Sequence, residues 1–447
     1  MYSFSKKLKL SAIIFMILGA LGITYGFLST PKTTAQVKEI MHHEMAEQHE
    51  NTKTIAAHNE NKEYKTEGSE NKEDSHITHM LHYMQNRPYT AVYIAMLFFF
   101  MLAIGTLVFY AAQYAAQAGW PIVLYRVMEA ITAYLLPGSL FILAFLILSA
   151  SNGHYYFEWM NPEYYNPKGI HYDEVLMSKS WYLNTPFWMI RTFIFLLGWN
   201  FYRYFSRKNS IAQDNATDIS HYKKNFTASI IFLIFFIITE SVMSWDWIMS
   251  LTPHWQSTLF GWYVFACLFV SSITVIAMVT IYLKAKGYLP FVNDSHLHDL
   301  AKYMFGFSIF WTYLWFSQFM LIWYANIPEE AAYFTPRLLG PYQILFMGML
   351  VSNFVLPILI LMNSDYKRIP FFIILTGIIV LIGHYVDVFL MISPATVGNH
   401  WQIGIPEISA VLFFLGLFIF VVFNALTKAP LLAKRDPFIK ESEHYQY

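Results

Sequence analysis

The stretch FFIILTGIIVLIGHYVDVFLMI, Phe371 to Ile392, decides the fold. It runs for 22 residues and carries only one histidine and one carboxylate, His384 and Asp387. A helix crosses a bilayer with roughly 20 mostly apolar residues. The run is too long for a strand and shows no alternation of period two. Nine similar runs lie elsewhere: Leu8–Leu28, Tyr89–Ala112, Val123–Ser149, Phe187–Phe205, Phe226–Trp245, Thr258–Tyr282, Met304–Ala325, Tyr342–Met362 and Ile408–Leu426. Composition agrees, with 56% hydrophobic and 13% charged residues over 447 positions; soluble domains carry about 25% charged residues. The sequence therefore predicts an all-α membrane protein of about ten transmembrane helices, and a β-barrel is disfavoured.

Lys and Arg fix the orientation. With ten spans both termini share a side. If that side is cytoplasmic, the short inner segments hold 18 Lys and Arg and the short outer ones four, namely Lys168, Lys179, Arg191 and Arg337. Positive charge collects on the cytoplasmic side of short loops, so both termini are expected in the cytoplasm. Basic Lys6, Lys7 and Lys9 before the first span also suit a signal peptide. The apolar run is long for one, and no small-x-small cleavage site follows, so a retained helix is favoured.

The organisation expected is an N-terminal helix (1–30), a polar periplasmic segment (31–87), helical stretches over 88–225, 226–257 with its outer loop, and 258–393, a last helix (394–427) and a cytoplasmic tail (428–447). The polar segment has too few apolar residues to offset its ordering entropy. It holds seven histidines, His42, His43, His49, His58, His76, His79 and His82. Their spacing is irregular and no Cys joins them, so a solvated linker is favoured over metal capture. No metal site is expected anywhere in the chain.

Ionisable groups inside spans are costly and are functional candidates by default. Arg126 and Glu129 lie i,i+3 on one face near the inner end of the third span. They form either a register-fixing ion pair or, through Glu129, a proton-uptake point. In the first half, His154, Arg191, Glu240 and Asp246 fall at one outer depth. A histidine, an arginine and two carboxylates there would bind and deprotonate a hydroquinone; the alternative is a structural Arg191–Glu240 pair. In the second half His384 and Asp387 again stand i,i+3. Thr312, Tyr313, Ser317 and Gln318 of the seventh span, Asn353 of the eighth and Glu407 at the start of the tenth would extend them into a hydrated proton path. Glu129, Glu240, His384, Asp387 and Glu407 are thus the proton-transfer candidates.

Other chemistry is disfavoured. One cysteine, Cys267, rules out a disulfide framework, a Cys-ligated iron–sulfur cluster and c-type haem attachment. A single in-span histidine excludes bis-histidine b-haem. No lysine sits mid-span and no nucleotide-binding motif is visible. Lys plus Arg equals Asp plus Glu at 29 each, so no nucleic acid partner is implied.

Three segments carry a resemblance: SWDWIMSLTPHWQSTLFGW from Ser244 to Trp262; HDLAK from His298 with FWTY from Phe310 and FSQFMLIWYANIPEE from Phe316 to Glu330; and HYVDVFLMISP from His384 to Pro394. Together they resemble the large quinone-binding membrane subunits of bacterial alternative complex III, a quinol:cytochrome c oxidoreductase, within the polysulfide-reductase (NrfD-like) family. The resemblance spans about Tyr89 to Leu426. It implies two four-helix bundles flanked by the first and last helices, in the bacterial cytoplasmic membrane. It also implies quinol or quinone as ligand and no redox cofactor in this chain, with haem c and iron–sulfur clusters held by partners. Those partners would be a sister quinone-binding subunit, an iron–sulfur protein, c-type cytochrome subunits and lipids, with a terminal oxidase as a further candidate. The long polar insertion after the first helix suits the second, F-type sister. A stand-alone secondary transporter and a purely structural scaffold stay open as alternatives.

Overall fold

The structure is a computed structural model that describes residues 2–39, 70–151 and 156–446. Among these every regular element is helical. Ten long helices dominate: α1 (Lys6–Ser29), α2 (Glu70–Ala115), α3 (Ile122–Ala150), α4 (Thr185–Gln213), α5 (Ser220–Trp247), α6 (Phe260–Ala285), α7 (Asp294–Ala325), α8 (Gln343–Leu361), α9 (Pro370–Thr396) and α10 (Ile405–Leu426). Nine are long and apolar enough to cross a membrane. The exception is α4, where Arg191, Asn200, Arg203, Arg207 and Lys208 interrupt the apolar surface. The lateral faces still expose large apolar side chains, such as Leu197 and Phe201 of α4 and Ile231, Ile234 and Ile238 of α5. Soluble proteins rarely expose such continuous apolar surface. The chain is an all-α, multi-pass membrane protein.

Helices α2–α5 form one four-helix group and α6–α9 a second, joined where α2 packs on α6 and α9. That seam is the core: 94% of the most apolar stretch of α2 and 89% of that of α6 are buried, against 28% for α7 and α8. Helices α1 and α10 lie against each other at the flank, and α10 rests on α2 and α3. Gly19, Gly22 and Gly26 make the α1–α10 contact possible. A Cβ at Gly19 would stand 2.5 Å from the Phe413 backbone nitrogen, and one at Gly22 1.9 Å from Ser409 Oγ. Small residues let membrane helices approach in this way.

Helix starts follow local chemistry. Asn293 caps α7 by accepting from the Ser295 and His296 amides, and His296 Nδ1 accepts from the Asn293 amide in return. Glu407 closes α10 by accepting the Gly404 N–H at 2.8 Å. Helix α8 contains one π-helical turn, Val351–Val355, just before Pro357. Proline has no N–H to continue the regular ladder, and such turns are frequent at functional sites.

One boundary differs from the sequence expectation. Helix α2 begins at Glu70, inside the segment expected to be unordered. Ile77, Met80, Leu81 and Met84 recur at helical spacing and cover Val37. That small apolar stripe offsets the ordering cost which composition alone argued against. His42, His43, His49 and His58 lie outside the described residues, as do the side chains of His76 and His79.

Residues 2–5 and 428–446 meet at one end of the molecule, called here the terminal end. Tyr2 packs on Tyr288 and Phe423. The tail runs across the loops of both groups: the Lys434 amide donates to Asp214, Ser442 Oγ to the Trp120 carbonyl, and the Tyr445 hydroxyl to Asp299.

Candidate functional site

The most concentrated buried polar cluster with few fixed charges sits in the second group, around the stretch that decided the fold. His384 and Asp387, one turn apart on α9, are 0% and 1% exposed. The two Asp387 oxygens accept from different helices: Oδ1 from the Tyr263 hydroxyl of α6, Oδ2 from Trp311 Nε1 of α7 at 2.9 Å. His384 Nδ1 is 3.6 Å from Oδ2 and 3.3 Å from Asn353 Nδ2. Asn353 lies in the π-helical turn of α8, so all four helices of the group supply a polar atom. His384 Nε2 and Asn353 Oδ1 have no hydrogen-bond partner among the described residues. Cys267 Sγ, a His384 ring nitrogen and an Asp387 oxygen lie within 4.8 Å of one another. Each Asp387 oxygen also accepts a hydrogen bond. The cluster as built is a hydrogen-bonded carboxylate beside an imidazole, a thiol and a phenol.

Next to it is a small cavity of about 10 Å³, lined among others by Tyr263, Gln318, Tyr333, Arg337 and Asp387. Arg337 was counted from sequence as an outer-loop charge, yet it is 3% exposed. Its guanidinium donates to the Leu390 carbonyl at 2.8 and 3.0 Å and to the Tyr333 carbonyl, and lies 3.6 Å over the Tyr333 ring. No carboxylate within the described residues comes within ion-pair distance of it. Gln318 also lines a larger, open cleft of about 490 Å³ at the end away from the termini, with Trp245, Gln256, Thr258 and Glu330.

The rest of the expected second-half path is not assembled here. Glu407 is tied instead to Arg87 of α2, by two hydrogen bonds of 2.8 and 3.0 Å. Its place at the first turn of α10 points it at α2, away from α9. Tyr313 is 64% exposed on the outer face of α7, and Thr312 bonds back to the Ser308 carbonyl. Gln318 alone of that group reaches the cavity.

In the first group Arg191 forms its pair with Asp246, not Glu240. Two hydrogen bonds of 2.7 and 2.9 Å join guanidinium to carboxylate, and the Tyr182 and Phe187 rings flank the cation at 4.0 and 4.3 Å. The reason is helical phase. Asp246 follows Thr239 by seven residues and shares its face toward α4, where Trp199 Nε1 donates to Thr239. Glu240 is one residue on, about 100° around the helix. Asp246 lies inside α5, not beyond its mouth, and is 0% exposed. Glu240 is buried alone, with Oε1 unpartnered among the described residues. His154 lies outside the described residues. Arg191, Glu240 and Asp246 therefore do not converge on one open site.

Glu129 is the centre of an ion cluster. It accepts from Arg126 at 2.9 Å, from Arg207 and Ser210, and from Tyr110 at 3.2 Å. Arg126 reaches on to Asp214 at 2.6 Å. Two guanidiniums against two carboxylates tie α3 to α4. Sequence spacing exposed the Arg126–Glu129 half; Arg207, Ser210 and Asp214 came only with the fold.

No protein-family model and no curated protein matches the chain.

Proposed function

We propose that the chain is an integral subunit of a respiratory quinol:cytochrome c oxidoreductase in a bacterial cytoplasmic membrane, as the resemblance of its three segments implies, and that it handles protons through the second helix group. It holds no redox cofactor of its own in this reading. Electrons pass through haem c and iron–sulfur clusters of partner subunits, beside a sister quinone-binding subunit. The terminal end faces the cytoplasm, where 18 of the short-segment Lys and Arg collect.

The observation that carries the proton role is Asp387. A membrane-buried carboxylate is retained at a cost. Here it is held by a phenol and an indole, beside an imidazole with a spare nitrogen. The phenol and indole fix the carboxylate, while a carboxylate and an imidazole accept and release protons without moving helices. Contrast the Arg126–Glu129–Arg207 and Arg191–Asp246 clusters, where guanidinium pairs with each carboxylate and fixes its place.

Purification in mild detergent tests the assembly: haem c and iron–sulfur proteins should co-purify, and a chain that runs alone overturns the reading. Within an assembled complex, Asp387→Asn should lower quinol-driven proton release at the outer side at least about ten-fold with unchanged subunit content. Unchanged proton release would leave only a scaffold.

A further inference from the structure

We propose that the open cleft between α5, the loop that follows it and α7 is an aqueous mouth through which Asp387 exchanges its proton with the outer side, and that Gln318 forms the neck. The proposal rests on the proton-handling reading of Asp387 given above.

Gln318 is the one residue that lines both the cleft and the small cavity at Asp387. The cleft is polar at its rim, with Gln256, Ser257, Thr258 and Glu330. The cavity of about 10 Å³ has the size of one water, and a buried water needs two to four polar partners. Tyr263, Gln318, Arg337 and Asp387 line it with donors and acceptors. A water there bridges the Gln318 amide to the carboxylate, and the amide orients water on its cleft side as well. The proton leaves the Asp387 carboxyl for water, and the carboxylate remains near the Arg337 guanidinium, which stays protonated. No electron moves in this step. Arg337 is thus a positioning residue: its charge, held only by backbone carbonyls and a ring, balances the ionised Asp387 across the cavity.

The single cysteine provides the test. Cys267 is 1% exposed, and its Sγ sits beside Asp387, so the infrared S–H band of the whole protein reports from the base of this route alone. On transfer to heavy water, the S–H to S–D exchange of the purified full chain is followed. Gln318→Leu should slow it at least about ten-fold. Thr258→Trp, which fills the exposed rim without touching the interior, should slow it too. Tyr313→Phe, on the outer face of α7, should leave it within about two-fold. Exchange unaffected by both cleft variants, or slowed only by Tyr313→Phe, overturns the route. If the cleft variants slow exchange while Asp387→Asn leaves proton release intact, the route stands and the proton-handling role of the subunit falls.

Discussion

Arg191 and Asp246 show what one buried charge does when its partner is removed. Arg191→Ala leaves a carboxylate that is 0% exposed without its guanidinium, and such losses cost about 3–5 kcal/mol. The protein should lose yield and thermal stability in detergent, read as a lower melting temperature. Arg191→Met with Asp246→Leu should recover most of the loss, because both charges leave together. Glu240→Gln should change stability by less than about 1 kcal/mol, since no cation faces it among the described residues. Sequence reasoning found all three residues but not who pairs with whom. Depth follows from position along a span; azimuth follows from helix packing, which a single sequence does not state. The same limit hid Tyr263 and Trp311. Each is an ordinary aromatic in an aromatic-rich chain until α6 and α7 bring it to Asp387. His384 and Asp387 were legible because an ionisable pair inside an apolar run is rare whatever surrounds it.

At the scale of the helix, apolar run length located the spans, and their existence was accordingly easy to read. Departures occur where a helix is held by something besides its own hydropathy. Helix α2 extends outward on four apolar side chains, and α8 takes a π-helical turn ahead of Pro357. The α1–α10 contact is legible in hindsight from the spacing of Gly19, Gly22 and Gly26. Gly22→Leu should separate the pair, because its Cβ would already overlap Ser409 Oγ. The measurement is thermal stability in detergent, with a lower melting temperature expected for Gly22→Leu. An unchanged melting temperature would mean that the glycine face does not set the approach.

For the molecule as a whole, the tail is the element composition described least. Within it Asp436 is buried, and that burial raises its carboxyl from the usual range to about 6, against the opposing pull of the Phe438 amide and Arg126. The docked state therefore binds this proton more tightly than the undocked state. Docking is strongest below the ordinary carboxylate value and weakens as pH rises through about 6. The loss amounts to about 3 kcal/mol at most. The protection of the amides of residues 428–446, taken relative to the intrinsic exchange rate at each pH, should be greater at pH 5 than at pH 7.5, roughly the two sides of that transition, and Asp436→Asn should remove the difference. An equal pH dependence in Asp436→Asn would assign it elsewhere. Two helix groups and a flanking pair were expected from the resemblance; their seam and the fastening across them were not, since the fastening consists of single polar contacts from a stretch without periodicity. That fastening bears on biosynthesis. Residues 428–446 emerge from the ribosome only after all ten helices have been made. Both groups must enter the bilayer and find each other unlatched, and the latch then closes from the cytoplasmic face in the proposed orientation. An affinity tag placed beyond Tyr445 would hang from the very residue that pins α7.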